Sequence, residues 1–384
     1  MTEKLYDLDS HLFTFEASVL SCRETDRGWE ILLDRTAFFP EGGGQSADTG
    51  RIGDATVYDA RERDGEIWHL CDRELSPRRY SCAVDDEQRL RRMQNHSGEH
   101  VFSGLAHTMY GAENVGFHMA CDCMTIDFDK ELDREALDTI EYRANEAVRA
   151  GLPVRTYFPS PEELASLEYR SKKELTGAVR IVEIEGIDRC ACCAPHVRTT
   201  GEIGLIKLLS AERHRGGVRI TLLCGMDALD DYRRRQDSTT AVSVLLSAKR
   251  DEIAQALERH LAAEEKRKEN AALLALRYVA LRAETVSPTD GNICLFDDLP
   301  GEAPAREMVN LLVEKAGGVA ALFLPGDDGG YRYIIGSRRV DLRACTREIN
   351  AAIGGRGGGS SEMIRGSASA DEKQIEHFFR TRLF

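Results

Sequence analysis

The stretch Asp85–Gly111, "DDEQRLRRMQNHSGEHVFSGLAHTMYG", is where the chain changes character. Acidic residues open it, a glycine ends it, and apolar Leu90, Met93, Val101 and Leu105 recur at helical intervals, so it predicts one long helix. Before it, residues 1–83 read as short alternating runs such as "ASVLSC" and "WEILLD", separated by turn residues. That rhythm predicts a small β-barrel or sandwich. After it, "REALDTIEYRANEAVRA" (Arg134–Ala150) predicts a second helix, and "AVRIVEIEGIDRC" onward reads as strands and tight turns up to Gly225. From Met226 to about Glu284 there is neither proline nor glycine. An apolar stripe of Leu246, Ile253, Leu257 and Leu261 there predicts long helices or an antiparallel helical hairpin. "TVSPTDGN" (Thr285–Asn292) marks a linker, and the rest alternates strand and helix signals around "IGGRGGGSSEMIRGS". The expected fold class is α+β in four segments: a β-barrel-like domain at 1–84, an α+β domain at 85–225, a helical linker at 226–284 and a C-terminal α/β domain at 285–384.

With 384 residues the chain exceeds one typical core, so more than one domain is expected. Apolar residues at 42% and charged residues at 30% are ordinary for a globular protein. No apolar run is long enough to span a membrane. "MTEKLYDLDSHLFTFEA" lacks the apolar core of a secretory signal, so a cytosolic location is expected. In that setting the 11 cysteines read as thiols or metal ligands rather than a disulfide framework. The net charge of −14 argues against coating nucleic acid, yet leaves room for a nucleic-acid substrate held by a local basic patch.

On the predicted helix, His96 and His100 stand four positions apart and project from one side, near enough to share an ion. Alone the pair has a plain alternative, two polar residues on a wet helix face. A second segment, "CCAPH", offers Cys192 and His196 in a tight turn. Together His96, His100, Cys192 and His196 make one thiolate and three imidazoles, a donor set suited to zinc. Buried cysteine filling is the competing reading, and either Cys190 or Cys193 is an alternative sulfur. Glu99, beside the pair, reads as a general base or as an outer-shell carboxylate.

Three motifs in order, "FFPEGGGQSADTG", "NHSGEH" and "CCAPHVRTTGEIG", resemble the editing domain of alanyl-tRNA synthetase and its free-standing relatives, the AlaX alanyl-tRNA editing proteins. The likeness covers about residues 10–225. "IGGRGGGSSEMIRGS" resembles the glycine-rich C-terminal domain of the same synthetase, so with the helical segment the chain is similar to the long AlaX type nearly throughout. The resemblance makes His96, His100, Cys192 and His196 the ligands of one zinc ion, with Cys192 favoured over its neighbours. It maps a substrate-reading hydroxyl to Thr36 and the family's glycine motif to Gly42, Gly43, Gly44 and Gln45. One departure stands out: "CCAPH" replaces the family's C-G-G-T-H, exchanging two glycines and a threonine for Cys193, Ala194 and Pro195 while leaving both ligand positions intact. No segment ahead of the β-rich region is long enough for an aminoacylation core, so deacylation without charging is expected.

The implied reaction is hydrolysis of the ester between a wrong amino acid, serine or glycine, and alanine tRNA. Rejection of alanine would follow if a site built to hydrogen-bond the serine hydroxyl were left with unpaired polar groups, with Thr36 as the partner. Gly43, Gly44 and Gln45 suit a loop whose backbone approaches a ligand, and His118 in "NVGFHM" is read as a further substrate contact. Arg213, Arg215 and Arg219 in "ERHRGGVR" are candidate phosphate contacts. Arg356 and Arg365 flank the C-terminal glycines, for which the resemblance implies tRNA binding or dimerisation. Two other readings compete. One is a zinc peptidase of the H-x-x-E-H type; the other is a non-catalytic tRNA-binding protein with a structural zinc.

Overall fold

The computed structural model describes residues 1–120, 123–171, 178–326 and 329–384. Strands and helices are mixed, as the α+β class requires. Packing divides the chain into two units, Met1–Thr239 and Thr240–Phe384. The segments expected at 1–84 and 85–225 therefore share one unit, and the division falls inside the segment expected at 226–284.

In the first unit, six strands are hydrogen-bonded in the order Thr14–Thr25, Gly28–Leu33, Glu66–Cys71, Ala55–Arg63, Gly50–Ile52 and Arg79–Val84, and close into a barrel. The period of two is plain in Arg79–Val84, where Tyr80, Cys82 and Val84 point inward and their neighbours are exposed. Helix α1 follows at Asp86–Tyr110. Asp85 caps it by accepting from the Gln88 N–H, and Gly111 ends it in the left-handed region at φ 61°. Helix α2 at Arg134–Ala150 is bounded in the same way by Asp133 and Gly151; α3 is a single short piece at Pro161–Ser166.

Helix α1 is buried on several sides. Met93, Val101, Phe102 and Ala106 join Ile140 and Ala144 of α2 and Ile220 and Leu222 of a four-stranded sheet in one core. That sheet runs Ile206–His214, Gly217–Cys224, Met124–Phe128, Asn114–Met119, and a three-stranded sheet runs Val154–Tyr157, Ile181–Ile184, Asp188–Ala191. Two glycines inside α1 let its neighbours come close: a Cβ on Gly98 would sit 2.2 Å from Cys224 Sγ, and one on Gly104 would sit 2.5 Å from the Ile187 carbonyl oxygen. Glycine in a helix interior costs roughly 1 kcal/mol against alanine, so close approach is what these positions provide in return. On its barrel side α1 is held by Arg89, fully buried, which donates to the Asp48 carboxylate and to the carbonyls of Ser10 and Ala37.

Helix α4 (Gly225–Leu246) and helix α5 (Ile253–Glu284) form the long helical segment, separated by a break that includes Ser247 at φ 50°. The expected apolar stripe is not the buried face. Leu257 and Leu261 are 44% and 59% exposed, and the buried residues of α5 are Ala256, Ala275, Val279 and Ala283. Small residues make the contact because Val279 and Ala283 pack against Leu295, Met308 and Leu312. The second unit is otherwise a five-stranded sheet in the order Ile293–Phe296, Ala320–Pro325, Tyr331–Gly336, Met363–Ala368, Arg356–Gly359. It carries α6 (Glu302–Val313), α7 (Leu342–Ile353) and α8 (Glu372–Thr381). Among the described residues no helix is long and apolar enough to cross a membrane.

Removing the carboxylate from Asp48 leaves the Arg89 charge buried and unpaired. Asp48→Ala is expected to cost about 3–5 kcal/mol, read as a lower denaturant midpoint in the fluorescence of the barrel tryptophans, Trp29 and Trp68.

Candidate metal centre

His96 and His100 lie one helical turn apart on α1, their rings 5.6 Å apart and 27° from parallel. The turn after the Asp188–Ala191 strand brings the His196 ring edge-on to both, at 4.9 and 4.7 Å. One ligand atom from each of His96, His100, Cys192 and His196 lies within 4.8 Å of every other. Cys192 Sγ is 3.5 Å from His96 Nε2 and 3.4 Å from His196 Nε2. A tetrahedral zinc with bonds of ~2.1 Å to nitrogen and ~2.3 Å to sulfur sets these edges near ~3.6 Å, so donor types and spacing both fit such an ion.

The backs of the rings are also spoken for. His96 Nδ1 meets Gln45 Oε1 at 2.9 Å, His100 Nδ1 meets Asp188 Oδ2 at 2.8 Å, and His196 Nδ1 meets Ser97 Oγ at 3.0 Å. Protons on the Nδ1 atoms leave the Nε2 lone pairs for the interior of the cluster, the tautomer a metal ligand needs. The turn itself is clamped: Arg180 Nη1 donates to the carbonyls of Cys192 and Ala194, and the Val197 N–H donates to Ser97 Oγ. Ala194 is buried in the barrel core, where the family's glycine would leave a gap.

Electrostatics single out one sulfur. Burial opposes ionisation of Cys192, but the His96 and His196 imidazoles draw its thiol well below the usual range. Cys190, buried, is pushed up to about 11 chiefly by burial, whereas Cys193 is exposed to solvent. Of the three, Cys192 alone is poised as a thiolate. Burial takes His196 down to about 3, which keeps it neutral and able to ligate. Asp188 would be raised by burial, yet its bonds to His100 and Arg170 hold it below the usual carboxylate range.

The glycine loop adjoins this cluster. Gly43 and Gly44 have φ 61° and 82°, and a Cβ on Gly44 would fall 2.8 Å from the Phe117 ring. The loop thus lies against the Asn114–Met119 strand, where the Met119 N–H donates to the Gly44 carbonyl. Gly44, Gln45 and His118 come together in the wall of a cleft of about 480 Å³, joined by Glu41, Arg61 and Arg63. Gln45 also touches His96, so it links cleft and cluster. Gly43 is not in that wall; its nearest neighbour would be Cys193 Sγ.

Glu99 is 1% exposed. Its Oε1 accepts from Ser103 Oγ at 2.8 Å and from Asn114 Nδ2, and its Oε2 lies 3.8 Å from His100 Nε2. Thr36 is fully buried in the barrel, outside the lining of the cleft. His69 Nδ1 is 3.1 Å from the Ile31 carbonyl, which can only accept, so that nitrogen carries the proton. Burial lowers His69 to about 4 and keeps it neutral. Its Nε2 therefore accepts from the Thr36 hydroxyl at 2.8 Å, while Thr36 Oγ1 accepts from the Phe38 N–H. One lone pair of that hydroxyl is left.

Within the first unit, Arg213, Arg215 and Arg219 are not among the residues that line the cleft. Arg219 is paired with Asp127 at 2.6 Å, Arg213 with Glu131 at 3.3 Å and Arg365 with Glu302. Arg215 and Arg356 are exposed. Several working residues escaped sequence reasoning: Asp188, Arg170, Arg180, Ser97, Ser103 and Asn114. Arg180 did leave a signal, a charge set between the apolar pairs of "AVRIV" that must find buried acceptors.

A family model described as the threonyl and alanyl tRNA synthetase second additional domain matches residues 179–221. The chain is 27% identical, over 98% of its length, to a Pyrococcus horikoshii protein named alanyl-tRNA editing protein AlaX-L, and covers 96% of it. It is 25% identical to an alanyl-tRNA editing protein of Rattus norvegicus, covering 96% of this chain and 94% of that one. An alanine–tRNA ligase of Halobacterium salinarum is 35% identical over 67% of this chain, which spans 30% of the ligase. A solved C-Ala domain of Aquifex aeolicus alanyl-tRNA synthetase aligns with 23% of this chain and 87% of its own at 17% identity, with a TM-score of 0.20 that is too low to carry an argument.

Metal analysis of variants checks the ligand set. His96→Ala and Cys192→Ala are expected to lose most of the roughly one equivalent of zinc that a single tetrahedral site holds, whereas Cys190→Ala and Cys193→Ala keep it.

Proposed function

Because the chain belongs to the alanyl-tRNA editing proteins of the long AlaX type, we propose that it hydrolyses the ester of mischarged alanine tRNA, taking serine and also glycine as the wrong amino acid. The observation that carries this reading is the convergence of His96, His100, Cys192 and His196 within 4.8 Å beside a cleft walled by Gly44, Gln45 and His118. Zinc held by those four residues would supply a Lewis acid for the aminoacyl group. The aminoacyl group would have to add to the four protein donors as a fifth ligand, an expansion that zinc can make in the transition state, and proton transfer falls to the chain's own groups. Glu99, its Oε1 tied by Ser103 and Asn114 and its Oε2 turned toward His100, is the carboxylate we assign as general base.

Gln45, Gly44 and His118 would receive the aminoacylated end of the RNA, and Gly43 would hold the loop against the Cys193 side. Thr36 would read the wrong amino acid. Its hydroxyl proton is committed to His69, so it can only accept, and a serine hydroxyl could donate to it where an alanine methyl cannot. Arg213, Arg215 and Arg219 would meet phosphates from the first unit, and Arg356 and Arg365 from the second, where the glycine-rich strand would serve tRNA binding or a homodimer. A cytoplasmic location suits that task. The peptidase reading has no support among the relatives, and Cys192 and His196 stand where it would need a glutamate and an open position.

Purified protein should release serine from serine-charged alanine tRNA while leaving alanine-charged tRNA intact, and a zinc chelator should stop it. Protection without release, or equal loss of both amino acids, would sink the reading. Thr36→Val should lower the rate on the serine ester by the worth of one hydrogen bond, about 1 kcal/mol or roughly fivefold, with the metal content unchanged.

A further inference from the structure

The three imidazoles of the cluster are backed by partners of different chemistry. His96 leans on a neutral amide, Gln45, and His196 on a hydroxyl, Ser97; His100 leans on a carboxylate, Asp188. All three partners are buried, at 1%, 0% and 7% exposure. They differ as well in how firmly they are held. Asp188 Oδ1 takes the Arg170 Nε–H at 2.8 Å, and the Arg170 side chain is itself 13% exposed. The backbone at Ile187 and Asp188 presses on α1 at Gly104, where a Cβ would meet the Ile187 oxygen at 2.5 Å and Asp188 Cβ at 2.7 Å. Asp188 is thus locked between an arginine and the helix that carries its histidine.

Gln45 is held otherwise. It follows two glycines in left-handed backbone, lines the cleft, and its buried Nε2 has no hydrogen-bond partner among the described residues. Ser97 divides one oxygen between His196 Nδ1 and the Val197 N–H.

We infer that the shell around the cluster is graded: Asp188, fixed by Arg170, is the positioning residue that makes His100 the anchor ligand, while Gln45 leaves His96 the adjustable ligand on the cleft side. The physical ground is that a hydrogen bond to a charged acceptor is roughly twice as strong as one between neutral groups. An acceptor fixed from two sides also orients its ring more firmly than one on a glycine loop. This rests on the metal reading proposed above.

Cobalt(II) titration of the metal-free full chain, followed by its visible absorption, tests the order. Asp188→Asn keeps an acceptor at the same place but removes the charge and the bond to Arg170, and should weaken cobalt binding by about 10–100-fold. Gln45→Ala and Ser97→Ala each remove one neutral bond to a ring, Ser97→Ala also freeing the Val197 N–H, and each should weaken it by no more than roughly fivefold. Equal losses in all three, or a larger loss in Gln45→Ala, would overturn the grading. Failure of the wild-type chain to bind cobalt would overturn the metal reading itself. If circular dichroism reports Asp188→Asn unfolded, Arg170→Gln takes its place. It should still weaken binding more than Gln45→Ala does, and the opposite order would count against the inference.

Discussion

The Arg89–Asp48 pair, buried within the first unit, is the contact on which the geometry of the cluster depends. A charge taken out of water is costly unless every donor is satisfied, and here Arg89 is spent on one carboxylate and two backbone carbonyls. Asp48 in turn accepts from the Phe39 N–H. Residues 39 and 48 are therefore tied together at the base of the glycine loop, and both are tied to α1 two turns before His96. The loop's ends are thus fastened, and Gln45 between them reaches the back of the His96 ring.

A second consequence concerns the turn at 192–196. Two flexible glycines and a threonine are absent there, yet the ligand positions converge. Arg180 supplies the order by gripping the Cys192 and Ala194 carbonyls, and Ser97 does so from the helix. The polarised environment follows from the same packing. Burial suppresses the charges of Cys190 and His196, while proximity to imidazoles favours the charge on Cys192.

Much of this was legible in the chain. Helix α2 matches its sequence reading of Arg134–Ala150, and α1 begins and ends where an aspartate and a glycine announced it. The histidine pair and the cysteine turn were visible as donors with ligand spacing, and they do meet. The apolar stripe announced the long helices that the structure has, yet Leu257 and Leu261 are exposed while alanines and a valine are buried. Periodicity marks which residues share a side and says nothing of which side finds a neighbour. A basic cluster in sequence also does not show which carboxylates stand across from it, such as Asp127 beside Arg219 and Glu131 beside Arg213.

Local chemistry alone determined the helices with their caps, the alternating strands and the four ligand types, because each depends on neighbours within a few positions along the chain. Which sulfur faces the imidazoles, which carboxylate stands behind His100 and which way the Thr36 hydroxyl donates were decided only by the folded arrangement. Those choices join residues dozens of positions apart, such as Asp188 with His100 or His69 with Thr36. A hydrogen bond of 2.8 Å between such partners leaves no periodic trace in either segment.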